Sequence, residues 1–321
     1  TMTLPPNLLR PTSAHWEPVW GDRVVPNGFG GLTLEIGRDL DLKRLGACLT
    51  ELAPGQSVCP MHHHLFEEEV FFVLEGRLTV QELRPGEADR EEYELSAGEL
   101  VAYPPGTGIA HRSWNRSEAP VRYLALSTGR LEHEIAVYPD SGKTLLRALG
   151  QVGQLGEDEP SPARELKRLA VRPSWVASRS EVEERALGGG VYGRRLAAAA
   201  GATHVFANLD RLAPGAVSGP LHWHSADEEL ALVLSGTPTL RQLREGQEER
   251  AALQPGDIVA WRAGERVAHQ LRNEGPEDAT ILVAAANHPG DITVFPEEER
   301  VYVCGLGRGG ALRTMGYFEG E

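Results

Sequence analysis

The sequence is poor in long apolar runs, in cysteine and in basic charge, and each shortage removes a class of protein. No apolar stretch in the 321 residues approaches the roughly 20 that cross a bilayer, which excludes a helical membrane span. The first residues lack a basic cluster ahead of an apolar core and do not read as a secretory signal. The three cysteines, Cys48, Cys59 and Cys304, form no Cys-x-x-Cys pair and are odd in number, which points to reduced thiols and a cytoplasmic setting. Lys and Arg number 32 against 46 Asp and Glu, a formal charge of −14. Such a chain lacks the basic face that phosphate contacts require, so nucleic acid is not an expected partner, and neither is a membrane. The balance of 41% apolar and 24% charged residues is that of a soluble globular chain long enough for two domains.

What the chain has instead is a sentence written twice. His62, His64, Glu69 and Gly76 recur as His222, His224, Glu229 and Gly236, an offset of 160. The stretch Ala47–Gly55 matches Ala207–Gly215 at the same offset. Gly98, Gly106, His111 and Asn115 match Gly256, Gly264, His269 and Asn273 at an offset of 158, and Tyr138-Pro139 matches Phe295-Pro296 at 157. A steady offset with small losses in polar turns marks a duplicated domain. The boundaries expected are 1–155 and 156–321, with Gln151–Arg164 as the linker.

The local pattern is β. Val70–Leu74 and Leu230–Leu234 are short apolar runs ending near glycine, and Leu100–Tyr103 and Ile258–Trp261 repeat the arrangement. Many short strands separated by turn residues predict an all-β fold, an antiparallel barrel or sandwich in each copy, with short helices placed at Pro162–Leu169 and Ser178–Ala186. On a strand alternate side chains share a face, so His62 and His64 point one way and His63 the other. Glu69 and His111 join them from later strands. Three neutral imidazoles and one carboxylate suit a divalent first-row metal. The expected ligands are His62, His64, Glu69 and His111 in one copy and His222, His224, Glu229 and His269 in the other. One divalent transition metal per domain follows, iron or manganese ahead of zinc, nickel or copper. Cys59, three residues before His62, reads as a small buried thiol in preference to a thiolate ligand. Glu67, Glu68, Asp227 and Glu228 read as solvated turn residues in preference to groups that orient a ligand. Asn115 and Asn273 read as turn ties. His15, His63, His133, His204 and His288 read as structural or exposed. Strand parity places Phe71 on the face of Glu69, with Ala231 at the matching place in the second copy, so the first interior is expected to be fuller.

These motifs resemble those of the cupin superfamily in its two-domain, bicupin form. The first motif is Gly55, His62, His64, Glu69, Gly76, and again Gly215, His222, His224, Glu229, Gly236. The second is Gly98, Pro104, Gly106, His111, Asn115, and again Gly256, Gly264, His269, Asn273, with Arg262 in place of the turn proline. Two loop gaps are longer than the usual pattern in both copies. The resemblance implies double-stranded β-helix (jelly-roll) barrels, and dioxygenases, decarboxylases and isomerases as the main chemistries. The leading expectation is a mononuclear non-haem dioxygenase-type enzyme acting on a small hydroxylated or carboxylated acid, anionic or enolisable. The alternatives are a decarboxylase or isomerase of a small carboxylate, and a non-enzymatic binder. Decarboxylation would require an interior proton carrier and an inward arginine, with Arg77, Arg112 and Arg272 as candidates. A homodimer is compatible with the pattern.

Overall fold

The computed structural model describes residues 5–129, 131–154 and 165–311. It divides into two compact units. One comprises residues 9–184 and 194–209, the other 1–8, 185–193 and 210–321. Each takes in a short piece of chain from elsewhere in the sequence.

The unit containing His62 is built on a seven-stranded sheet. Its order is Val176–Ser178, Glu99–Tyr103, Glu69–Glu75, Val121–Ser127, Gly46–Leu52, Leu32–Leu34, Glu17–Pro18. A four-stranded sheet of Ala110–Trp114, Arg77–Leu83, Arg90–Ser96 and Leu166–Arg168 lies across its core. Alternation along these strands sends Leu52, Val73, Leu78, Leu95, Val101 and Val121 into one cluster fed by both sheets, and none has accessible surface. His63–His64 heads a third sheet with Ile135–Tyr138, Lys143–Leu146 and Gln151–Gln154. The other unit repeats the plan, with Glu229–Ser235 between Ile258–Trp261 and Ala279–Ala285, a sheet of Gln247–Ala252, Thr239–Arg244 and Ala268–Arg272, and Trp223–His224 beside Ile292–Phe295. The all-β double-stranded architecture is as the sequence predicts.

The helices lie elsewhere than predicted. Among the described residues the α-helices are single turns at Ile36–Asp39 and Leu196–Ala199, with 3-10 turns at Arg147–Leu149 and Cys304–Leu306. Of Pro162–Leu169, the first residues lie outside those described, and Leu166–Arg168 is a strand running parallel to Arg90–Glu92. Ser178 ends a strand paired to Glu99–Val101, and Arg185–Gly188 is a strand as well. Glu, Lys, Leu and Ala favour helix only weakly, and an open sheet edge satisfies the same backbone groups through tertiary pairing. Within the expected linker, Gln151–Gln154 pairs with Lys143–Leu146, and 155–164 lie outside the described residues.

The duplicated asparagines tie turns. Asn115 Nδ2 donates to Leu52 O and Ala119 O at 2.8 Å each, and Asn273 Nδ2 to Leu212 O at 2.8 Å and Glu277 O at 2.7 Å. The glycines that close the central strands are required by contact as well as by conformation. Gly236 has φ +78°, and a Cβ there would lie 2.7 Å from Ala279 Cα and 2.9 Å from Asp278 O. Gly246 has φ +80° with open space around it. Gly246→Ala is therefore expected to cost about 1 kcal/mol, from the left-handed conformation alone. Gly236→Ala is expected to cost about 3 kcal/mol, because backbone must also move. Calorimetry of both variants checks the ranking, and equal losses would refute the contact argument.

Candidate metal centre

Backbone pairing brings the histidines together before any side chain acts. His62 N–H donates to His111 O at 3.1 Å and His111 N–H returns to His62 O at 2.8 Å. His222 and His269 make the same exchange at 3.2 and 2.8 Å. His64 is held by pairing to Ala136 and His224 by pairing to Thr293. Glu69 and Glu229 open the central strands of their sheets.

Around Glu69 Oε2 stand His111 Nε2 at 2.8 Å, His64 Nε2 at 3.3 Å and His62 Nε2 at 3.7 Å. Around Glu229 Oε2 stand His224 Nε2 at 3.2 Å, His269 Nε2 at 3.6 Å and His222 Nε2 at 3.8 Å. All eight residues singled out in the sequence thus converge, four in each unit. The far side of every ring is also engaged. His62 Nδ1 lies 3.0 Å from Pro60 O, His111 Nδ1 3.2 Å from Ile109 O, His222 Nδ1 2.9 Å from Pro220 O and His269 Nδ1 3.1 Å from Val267 O. A carbonyl only accepts, so Nδ1 carries a proton, Nε2 faces the cluster, and each ring when neutral presents its Nε2 lone pair there. Cys59 Sγ lies 3.5 Å from His62 Nδ1, on the side away from the carboxylate, so it does not join the set.

His64 and His224 are backed by carboxylates that sequence reasoning missed. His64 Nδ1 donates to Glu134 Oε1 at 3.1 Å and His224 Nδ1 to Asp291 Oδ2 at 2.7 Å. Both acids are fully buried and also accept backbone N–H groups of the loop after the histidine, from Leu65, Phe66 and Glu67 in one unit and from Ala226 and Asp227 in the other. The signal was available, since the two acids keep the offset of 157 seen at Tyr138 and Phe295. The acids predicted to be solvated are mostly not. Glu67, Glu68 and Glu228 are buried. Glu67 pairs with Arg147 at 3.0 Å, and Glu68 accepts the N–H groups of Thr203, His204 and Val205. Runs of charge look like surface until a loop folds its backbone donors over them.

Aromatic rings set the imidazole planes. Tyr103 stacks on His111 at 3.7 Å and 5°, and Trp261 on His269 at 3.7 Å and 10°. Phe71 stands 5.8 Å from His111, where parity placed it, while Ala231 offers no ring. The candidate arginines turn elsewhere. Arg77 and Arg272 are exposed toward Glu94 and Glu274, and Arg112 lies over Trp114.

Burial favours a neutral imidazole at His64, but Glu69 and Glu134 outweigh it and hold the ring up to about 10. Burial likewise opposes charge at His224, and Asp291 and Glu229 outweigh it, again to about 10. At His111 burial prevails and the ring falls to about 4. Burial would raise Glu69 and Glu229, yet the surrounding imidazoles hold both well below the ordinary carboxylate range. Among the described residues, the buried His64 Nε2 and His269 Nε2 have only the carboxylates beside them, Glu69 at 3.3 Å and Glu229 at 3.6 Å. Once His64 and His224 give up the second proton, the convergent Nε2 atoms and the carboxylate are the donor set a divalent cation needs.

A cupin-domain family model matches residues 48–127 and 208–285. The solved structures similar to the chain include a mutant of Bacillus subtilis oxalate decarboxylase, at a TM-score of 0.57 and 17% identity over 91% of this chain and 80% of that one. They also include the formate complex of Lactobacillus farciminis oxalate decarboxylase, at 0.55 and 16% over 89% and 88%. At such identity the likeness is one of fold. An uncharacterized protein of Methanocaldococcus jannaschii is 29% identical over 83 residues, which is 26% of this chain and 60% of that protein's length. With two matched regions, two barrels and the duplicated motifs, the chain is a two-domain member of the cupin superfamily.

Asp291→Asn keeps the shape of the His224 acceptor and removes its charge. The His224 ring is expected to fall from about 10 toward the ordinary histidine value. Because the folded ring is raised, the stability it contributes is complete below the ordinary value and is lost as pH climbs toward about 10. Imidazole NMR titration of the metal-free variant checks this, and an unmoved His224 would refute it.

Proposed function

We propose that each barrel holds one divalent first-row metal ion, through His62, His64, Glu69 and His111 in one and His222, His224, Glu229 and His269 in the other, and that the protein is an enzyme acting on a small organic acid. The observation that carries the reading is the duplicated convergence of three Nε2 atoms on one carboxylate oxygen, with every Nδ1 tied back. A bound ion of this kind supplies Lewis acidity and, for iron or manganese, one-electron chemistry. The chain's own contribution is to hold the ring planes by stacking and to exclude water with the buried walls around Glu69 and Glu229.

Dioxygenase-type chemistry on a hydroxylated or carboxylated acid is the preferred reaction. Decarboxylation of a small carboxylate is the second reading, favoured by the shared fold with oxalate decarboxylases. Against it, none of Arg77, Arg112 and Arg272 turns inward. Oxygen consumption by the iron-loaded chain with a panel of phenolic and hydroxy acids is the expected outcome. Carbon dioxide release from oxalate without oxygen uptake would transfer the assignment to decarboxylation, and silence in both assays across the panel would remove the enzyme reading.

Metal stoichiometry tests the sites independently of turnover. Manganese added to the metal-free chain is expected to bind at two ions per chain, falling to one in His64→Ala/Glu69→Ala and to one in His222→Ala/His269→Ala. Since the metal-free His64 and His224 rings sit near 10, binding displaces protons, and affinity is expected to rise with pH toward that value. Unchanged stoichiometry in both double variants would refute the assignment.

A further inference from the structure

The second barrel holds a carboxylate that the metal set does not use. Asp210 lies in the strand Phe206–Leu212, two residues before Leu212, which belongs to the interior cluster with Val191, Ala231 and Ile281. Alternation therefore turns Asp210 to the same interior face. Its Oδ1 is buried and has no hydrogen-bond partner among the described residues. Room for that oxygen comes from Gly193, where a Cβ would stand 3.2 Å away.

The first barrel shows what this position looks like when it is structural. There the matching residue is Thr50, close to Cys48 Sγ at 3.8 Å and cross-strand from Tyr123, whose hydroxyl meets Ser113 Oγ at 3.0 Å. In the second copy Tyr123 and Ser113 become Ile281 and Leu271, both buried. The tyrosine–serine pair is gone and Cys48 has become the buried Asn208, yet the threonine has become a charged residue. Asp210 is half-buried, and its enclosed Oδ1 has no protein partner among the described residues to replace lost hydration, so that partner is to be sought in a ligand.

We propose that Asp210 is the base of the second barrel, accepting the hydroxyl proton of a small hydroxylated acid bound there. This rests on the reading of the second histidine set as an ion site. In the step, the ligand O–H bond breaks, its oxygen keeps the electron pair, and a new O–H bond forms on Asp210. No electrons are exchanged. Burial and the negative charge of Glu229 push the Asp210 carboxyl up to about 6, which leaves it ionised at pH 7 and poised to accept. Glu229, with His222, His224 and His269 around it, supplies the titratable groups facing that interior. The strand Ala279–Ala285 has no ionisable side chain, and Val191 and Gly193 are the inward residues of Val191–Arg194. Tyr192 lies under the Arg211 guanidinium, Arg211 pairs with Asp278, and Arg194 pairs with Glu184.

The test uses the full chain loaded with zinc, which is redox-inert, and 2,3-dihydroxybenzoate as probe, whose phenols titrate at about 10 or above in water. Phenolate absorption and calorimetry in buffers of different ionisation enthalpy report where the proton goes. In the wild type the phenolate signal is expected at pH 7 and is expected to fade below about pH 6. Asp210→Asn and Asp210→Thr are expected to weaken binding at least tenfold at pH 7 and to abolish the pH step, with zinc content unchanged. Asp210→Glu is expected to restore both, and His222→Ala/His269→Ala to remove the signal. Variants that bind the probe with wild-type affinity and pH dependence would overturn the role of Asp210 while leaving the ion sites standing. A zinc-loaded wild type with no phenolate signal, or a second set that takes no zinc, would overturn the proposal from beneath.

Discussion

Both barrels depend on a carboxylate ringed by imidazoles whose outer nitrogens are already committed. Glu69 and Glu229 are largely buried anions, their side chains 20% and 15% exposed, and such an anion survives only with close positive or polar company. The imidazoles supply it, and they can do so because Pro60, Ile109, Pro220 and Val267 carbonyls and the Glu134 and Asp291 carboxylates hold them from behind. Removing the outer partners would free each ring to rotate, and the inner cluster would then lose both its tautomer and its geometry.

The sheets exist around this cluster in a specific register. The reciprocal bonds between His62 and His111, and between His222 and His269, fix two ligands of each set through backbone alone. A slip of one residue would turn both histidines of a pair to the opposite face. The turn asparagines and the close-packed glycines matter for this reason, since they hold the ends of the strands that carry the ligands.

Duplication has kept the ring of ligands and altered what surrounds it. Behind the Tyr103 plate of the first barrel sits Glu82, buried and accepting from Tyr103 at 2.8 Å and Trp175 at 2.9 Å, its carboxyl raised by burial. The matching Gln242 in the second barrel accepts from Trp261 and Asn7 at 3.1 Å each, and needs no proton to be neutral. The first interior is lined with Phe71, Tyr103 and Tyr123, the second with Ala231, Trp261 and Ile281. Two centres with the same ligands thus present different walls to a substrate.

The sequence by itself determined the duplication, the all-β class and the eight converging residues, because strand parity and a repeated spacing are one-dimensional properties that survive folding unchanged. It also determined the turn role of Asn115 and Asn273. Tertiary structure alone decided which acids are buried. Glu134 and Asp291 stand 70 and 67 residues from the histidines they serve, and Glu68 receives donors 135 to 137 residues away. It also decided that Leu166–Arg168 is a strand, since a sheet edge elsewhere in the chain supplied the hydrogen bonds that local propensity had assigned to a helix, whereas Arg185–Gly188 pairs locally with the strand Val191–Arg194. Burial and long-range pairing depend on what the rest of the chain brings alongside, and no local pattern contains that information.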